Sequence, residues 1–140
     1  RDVLEVRKAL EELAVQLACE KITEAEIEEL KKAAEDFKQI LKSNDVTQIA
    51  EADVHFHDII YMATDNQKLI QLLSNLREQM YRYRVEYLKR ESVYPKLIAE
   101  HEEIIHFIQE KNKTQAAEMV SRHIDNQVDA VMAVIRNKQN

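Results

Sequence analysis

The sequence contains no glycine and no tryptophan, and its 140 residues include one proline and one cysteine. Average usage would supply roughly ten glycines and seven prolines. A Walker loop or a G-x-G-x-x-G turn requires glycine, so neither nucleotide-binding motif is present. Primed β-hairpin turns would depend on Asn and Asp alone. The residues that dominate, such as Ala, Leu, Glu, Lys and Ile, are compatible with helices, so the composition predicts an all-α fold.

Charge and hydropathy exclude further classes of protein. The formal net charge is −6 and the pI is about 5.4, and Lys and Arg are interspersed with Glu instead of forming the basic stripe of a nucleic-acid surface. No apolar run reaches the roughly 18 residues of a membrane span, and no signal peptide is visible. The single Cys19 cannot form an internal disulfide, which fits a reducing compartment, and we interpret it as a core residue. We therefore expect a cytoplasmic chain that makes no membrane contact.

Apolar residues recur at helical spacing in six segments that are joined by short polar turns. The predicted helices span about 2–20, 23–42, 46–63, 67–89, 95–110 and 114–136. The second opens on a capping box from Thr23 to Glu26. In the first, the stripe expected to face the core is Val3, Val6, Leu10, Leu13, Ala14 and Leu17. Helices of this length with short links predict one domain, 1–140, folded as an antiparallel bundle of six to seven helices.

Three of the five histidines are predicted to face the core. Residues three and four positions apart share one face of a helix. At those spacings, the neighbours of His57 and His101 are mostly apolar, and those of His123 lie where an apolar face turns polar. His55 and His106 have mainly polar neighbours and are expected on the surface.

Asp53 is anomalous because it lies on an apolar stripe beside Ile49 and Phe56. A carboxylate in that position is costly unless it is paired or binds a metal. Asp53 and His57 are about 40° apart around a helix, so their side chains can converge. Together with His101 and His123 they would provide three histidines and one carboxylate, a set that suits zinc, or alternatively nickel or manganese. The competing interpretation is that each histidine is an ordinary, hydrogen-bonded core residue.

Arginines on partly apolar faces predict either internal ion pairs or an anion site. Arg7 could pair with Glu11 one turn later, and Arg84, with Arg82 close by, could pair with a neighbouring Glu. The alternative is a guanidinium fork that binds a carboxylate ligand beside the metal.

Several stretches of the sequence form a specific pattern when they are taken together. They are Val6-Arg7-Lys8-Ala9-Leu10-Glu11 with Leu17-Ala18, Asp53-Val54-His55-Phe56-His57, Asn66, Glu100-His101-Glu102 and Arg122-His123-Ile124. In this pattern the chain resembles the FCD domain, the C-terminal effector-binding domain in the FadR subfamily of the GntR transcription regulators. The resemblance covers essentially all 140 residues.

The resemblance implies a bundle of six or seven helices that holds a divalent metal on an Asp and three His, here Asp53, His57, His101 and His123. It implies that Arg7, together with Arg82 or Arg84, helps the metal to bind a small organic acid, and that the domain forms a homodimer. DNA binding would belong to an N-terminal winged helix-turn-helix domain. We expect that domain to be absent here, because the chain starts at Arg1 inside a helical pattern. The chain is thus expected to sense an effector and not to be an enzyme.

Two other functions would fit the same residues. A metal-dependent enzyme could use the constellation with a bound water to act on a small organic acid. A structural helical bundle would use the histidines as core residues and would bind no metal.

Overall fold

The computed structural model describes residues 2–139 and the side chains of residues 2–136, so Arg1 and Asn140 of the predicted domain lie outside the described residues. Seven α-helices and two short 3-10 turns occur in residues 2–139, and no strand does. The helices are α1 (Asp2–Lys21), α2 (Glu24–Ile40), α3 (Val46–Ala63), α4 (Gln67–Asn75), α5 (Arg77–Leu88), α6 (Tyr94–Gln109) and α7 (Lys113–Gln139). The predicted all-α bundle of six to seven helices is confirmed.

Side-chain caps mark the beginnings of α2, α3 and α4. The predicted capping box is present at α2, where the Thr23 hydroxyl accepts from the Glu26 N–H and the Glu26 carboxylate accepts from the Thr23 N–H. Asp45 caps α3 by accepting from two backbone N–H groups, and Asn66 caps α4. These caps satisfy N–H groups that have no partner inside the helix, so the sequence fixes where α2, α3 and α4 begin.

Left-handed residues at the turns replace the glycine that the chain lacks. Asn44, Asp65 and Lys111 have φ values of 57°, 48° and 57°. Asn and Asp tolerate this region better than most residues. Each of the three falls in a polar joint that the sequence predicted, between α2 and α3, α3 and α4, and α6 and α7.

The predicted fourth helix, 67–89, is two helices in the structure. It breaks at Leu76, which has φ −98° and ψ 0° and donates from its N–H to the Leu73 carbonyl. No glycine or proline marks the break. On the two sides of the break, Leu69 and Leu73 of α4 pack with Met80 of α5 against Ala14 and Tyr61.

The predicted core stripe of α1 is wrong in part. Ala14 is fully buried, and Leu10 and Leu17 are half-buried against the α3–α4–α5 cluster. Val3, Val6 and Leu13 are exposed, and the buried positions of α1 also include two charged residues. The residues of α1 buried in the bundle are Arg7, Glu11, Ala14, Val15, Ala18 and Cys19. The charged pair occupies the inward face because its members satisfy each other, an arrangement that apolar periodicity does not detect.

The polar interior lies among three apolar clusters, with α3 in the centre. Helix α3 packs on α1, α2 and α5, while α7 packs on α1, α5 and α6. The buried rings of Phe37 and Phe56 pack on the His101 ring, with centroids 4.6 and 4.1 Å away. In residues 2–139, no helix combines the length and apolar character needed to cross a bilayer.

Candidate metal and ligand site

Asp53 is the centre of the buried polar site. Helix α3 carries it with 1% of its surface exposed. Its Oδ2 accepts a hydrogen bond of 2.6 Å from Nε of Arg84 on α5, and its Oδ1 lies 2.8 Å from Nε2 of His101 on α6. His57, one turn after Asp53, places Nε2 3.5 Å from the same Oδ1. That separation is too long for a good hydrogen bond.

Asp53, His57 and His101 can hold a metal ion together. One ligand atom of each residue lies within 4.8 Å of the other two, and all three residues are buried. Nε2 of His57 and Nδ1 of His101 have no hydrogen-bond partner among the described residues. A buried nitrogen without a partner is costly. A cation bound by His57 would remove that cost at Nε2, so the donor set fits a divalent metal.

His123 lies next to this group but outside it. Its Nδ1 is 3.2 Å from Oε1 of Glu100, and its Nε2 is 3.3 Å from the amide nitrogen of Gln127. The rings of His123 and His57 have centroids 6.0 Å apart, and both residues line a cavity of about 20 Å³. The structure thus brings three of the four predicted ligands together, and the role of His123 as the fourth stays a prediction.

The charges of the site suit metal binding. Burial would raise the pKa of Asp53, but His57, Arg84 and the hydrogen bond with His101 together hold that pKa well below its usual range. Burial lowers the pKa of His101 in spite of Asp53. The carboxylate is therefore ionised and His101 is neutral near pH 7. These are the protonation states that bind a divalent metal.

Arg7 belongs to an internal network next to the site. Its Nε donates to Oε2 of Glu11 at 3.0 Å, and its Nη2 donates to Oε1 of Gln127 at 3.0 Å. The Tyr61 hydroxyl donates to the other oxygen of Glu11. Burial would raise the pKa of Glu11, but Arg7 and the other neighbours hold it below its usual value. The ion pair of Arg7 with Glu11 that the sequence allowed is present, and Nη1 of Arg7 has no hydrogen-bond partner in the part of the chain that the structure describes.

A cavity of about 140 Å³, here called the His57 cavity, opens beside the metal-binding group. Helices α3, α4 and α5 form it, and its lining residues are Val54, His57, Asp58, Tyr61, Met62, Ile70, Leu73, Ser74, Arg77, Met80 and Arg84. Of the two predicted candidates on α5, Arg84 lines this cavity and is buried, whereas Arg82 is exposed and does not line it. Arg7 does not line it either. The ligand roles of Arg7, Arg82 and Arg84 stay predictions.

Several contributors to the site were missed in the sequence. Gln127 bridges Arg7 and His123, and Tyr61 holds Glu11. Gln127 lies four residues after His123, and Tyr61 lies four residues after His57. Residues at this spacing share a helix face, so the sequence could have indicated both contributors. The residues of α4 that line the cavity, Ile70, Leu73 and Ser74, have no such spacing to a predicted ligand.

A comparison with known families identifies the class of the chain. The FCD domain family matches residues 2–126, which is most of the sequence. The chain therefore belongs to the FCD domain family, and the predicted family resemblance is confirmed.

Two curated relatives come from Bacillus subtilis. The chain is 32% identical over 137 residues to the HTH-type transcriptional regulator LutR, an alignment that covers 94% of this chain and 61% of LutR. It is 25% identical over 135 residues to the uncharacterized HTH-type transcriptional regulator YdhC, covering 96% of this chain and 60% of YdhC. The chain thus spans about three fifths of the length of each. Both relatives are described as transcriptional regulators, which supports a regulatory role over the enzyme alternative.

Proposed function

We propose that this chain is the effector-sensing domain of a transcription regulator of the FadR subfamily of the GntR family. In this proposal it binds a small organic acid at a buried divalent metal site and passes the change to a DNA-binding domain. One observation carries the proposal: buried Asp53, His57 and His101 converge to within 4.8 Å, and His57 also lines a cavity that contains Arg84.

The metal would be held by Asp53, His57 and His101, with His123 as the fourth ligand. For His123 to bind the ion, its Nε2 would give up the contact with the amide nitrogen of Gln127 and bind the metal instead. A set of imidazoles and one carboxylate accepts zinc, and also nickel or manganese. When bound, such an ion offers a Lewis-acidic position to a carboxylate oxygen.

Arg84 supports the choice of a carboxylate as ligand. Its Nε hydrogen bond to Asp53 fixes the guanidinium group. Within the described residues, that bond is the only one that the structure gives Arg84, and the side chain lines the cavity. Its remaining N–H groups are thus available to a carboxylate, for which a guanidinium fork is the matching partner.

Transmission of the signal would use the contact between α1 and α7. Arg7 and Lys8 of α1 bind Gln127 and Asp125 of α7, at 3.0 Å in each case. A change at His123 would reach α1 through Gln127 and Arg7. In a homodimer, this movement would alter the relative positions of two DNA-binding domains, and DNA would in turn change effector affinity by the same factor.

Elemental analysis and thermal melting test the metal site. We expect about one equivalent of zinc, nickel or manganese in the purified chain and a lower Tm after EDTA treatment, which the metal reverses. His101→Ala should remove the metal and the response to EDTA. His106→Ala is the matched control, since His106 lies on the same helix and is exposed. A chain without metal, whose Tm does not respond to EDTA or to added metal, would support the structural bundle instead.

A further inference from the structure

Gln127 of α7 is a buried amide whose orientation is fixed by its neighbour Arg7. It has 1% of its surface exposed, and its Oε1 lies 3.0 Å from Nη2 of Arg7. A guanidinium group only donates hydrogen bonds, so the atom of Gln127 that faces Arg7 has to be the amide oxygen. The NH2 group of Gln127 therefore points to the other side, where its nitrogen lies 3.3 Å from Nε2 of His123.

This orientation determines which nitrogen of the His123 ring carries a lone pair. The amide nitrogen of Gln127 can only donate, so Nε2 of His123 accepts that hydrogen bond and carries no proton. On the other side of the ring, Nδ1 lies 3.2 Å from Oε1 of Glu100, to which it can donate. His123 thus has the tautomer that a metal ligand needs at Nε2, but the lone pair that would bind an ion is already occupied by Gln127.

A flip of the Gln127 amide does not free His123. The flip would exchange the oxygen and the nitrogen, so the NH2 group would face Nη2 of Arg7, which is also a donor. Arg7 is itself held in place, because its Nε donates to Oε2 of Glu11 at 3.0 Å. Binding of an ion at Nε2 of His123 therefore requires displacement of the amide, and the displaced N–H group loses its acceptor in a buried position.

His57 is the contrasting case among the proposed ligands. Its Nε2 has no hydrogen-bond partner within residues 2–136, so this nitrogen can bind an ion without giving up a hydrogen bond. Asp53 and His101 contact each other, and both are proposed ligands. Gln127 differs from all of these, because it is not a proposed ligand and yet loses a contact when His123 binds the ion.

We propose that Gln127 competes with the metal for His123 and thereby lowers the metal affinity of the site. In the metal-free chain the amide satisfies Nε2 of His123, and metal binding has to break that hydrogen bond. Because Arg7 holds the amide, the strength of the competition depends on the contact between α1 and α7. This inference rests on the proposed function, since it takes His123 as the fourth metal ligand.

The zinc affinity of Gln127→Leu, measured by competition with a chelator, tests the inference. The variant removes the N–H donor and keeps a side chain of similar size. We expect zinc to bind about fivefold more tightly than to the wild type, which is the scale of one hydrogen bond. General damage to the site would lower the affinity instead, so the direction of the change is decisive. Gln115→Leu is the control, since it removes an exposed amide from the same helix and should leave the affinity unchanged.

A double-mutant cycle assigns the effect to His123. In a His123→Ala background, Gln127→Leu should leave the zinc affinity unchanged, because the amide then has no ligand to occupy. An equal gain in both backgrounds would overturn the inference. An unchanged or lower affinity of Gln127→Leu with His123 intact would also overturn it, and zinc binding by the wild type would leave the proposed function in place. A wild-type chain that binds no zinc would overturn both.

Nuclear magnetic resonance on the wild-type chain is a second test that needs no substitution at Gln127. Addition of zinc should shift the side-chain amide signals of Gln127 and the Nε2 signal of His123 over the same range of zinc concentration. Amide signals of Gln127 that stay unchanged while zinc binds would show that the amide keeps its place. That result would overturn the inference even if Gln127→Leu failed to fold.

Discussion

Arg84 and Asp53 form a buried ion pair that joins α5 to α3 at the centre of the site. Nε of Arg84 donates to Oδ2 of Asp53 at 2.6 Å, and the two side chains are 5% and 2% exposed. Burial would lower the pKa of Arg84, but Asp53 and the other neighbours raise it above its usual value. The pair therefore keeps a permanent cation at the inner end of the His57 cavity, next to the residues that can bind the metal.

Replacement of Arg84 by Lys tests whether the guanidinium group recognises the carboxylate. Lys keeps the charge but lacks the planar fork, so Arg84→Lys should weaken the binding of any small organic acid that binds the metal-loaded wild type by about tenfold or more. Arg82→Lys is the matched control, because Arg82 is exposed and lies two residues away on α5. Calorimetry on both metal-loaded variants gives the comparison. A loss of affinity in Arg82→Lys alone would place the ligand outside this cavity.

The sequence predicted which histidines are buried more accurately than it predicted the break between α4 and α5. His57, His101 and His123 were expected in the interior and are 7%, 2% and 6% exposed, while His55 and His106 are exposed. A histidine whose neighbours on the same helix face are apolar is buried together with them, whichever helices pack on that face.

The features that the sequence did not predict depend on contacts between distant residues. The break at Leu76 has no glycine or proline, and the polar pair Ser74-Asn75 directly before it was included in one predicted helix. The inward face of α1 was misplaced because the predicted stripe followed apolar residues alone, whereas Arg7 and Glu11, which the sequence allowed to pair, lie on the buried face. Asp53 and Arg84 are 31 residues apart in the sequence. Helical periodicity relates only residues on the same helix, so it could not predict that these two form a pair.

The pair of Arg7 and Glu11 should show strong energetic coupling. Their side chains are 3% and 6% exposed, so Arg7→Leu would leave the Glu11 charge buried without its ion-pair partner. We expect a loss of about 3–5 kcal/mol in the free energy of unfolding, measured with urea. The double variant Arg7→Leu, Glu11→Leu should lose less than the sum of the two single variants.

Lys8 provides the control for this pair. It binds Asp125 at 3.0 Å, but its side chain is 35% exposed and that of Asp125 is 56% exposed. Lys8→Leu should therefore change the free energy of unfolding by no more than about 1 kcal/mol. Equal costs for Arg7→Leu and Lys8→Leu would contradict the view that burial makes the first pair important.

Cys19 should be chemically inert while the chain is folded. The residue is 0% exposed, and burial raises the pKa of its thiol in spite of nearby Lys113 and Lys111. A raised pKa means less thiolate at any given pH, and the thiolate is the form that reacts. Iodoacetamide at pH 8 should label the native chain slowly and the chain unfolded in guanidinium chloride completely, as followed by mass spectrometry. Rapid stoichiometric labelling of the folded chain would show that Cys19 is accessible.

Glu100 should raise the metal affinity of the site through His123, although Glu100 is not itself a predicted ligand. An ionised carboxylate only accepts hydrogen bonds, so its contact with Nδ1 of His123 at 3.2 Å assigns the ring proton to Nδ1. Nε2 then carries the lone pair, which faces Gln127 in this structure and is the atom that would bind the ion. A neutral amide in place of the carboxylate holds this tautomer less firmly.

The measurement is zinc affinity by competition with a chelator. Glu100→Gln should weaken zinc binding by about 10–100-fold, the range found for partners that orient metal-binding histidines. Glu103→Gln removes the same charge from an exposed position on the same helix and should leave the affinity unchanged. Equal zinc affinity in wild type and Glu100→Gln would mean that His123 does not depend on Glu100. If His123→Ala also bound zinc like the wild type, the site would consist of Asp53, His57 and His101 alone, and the network from Gln127 to Arg7 would have no direct link to the metal.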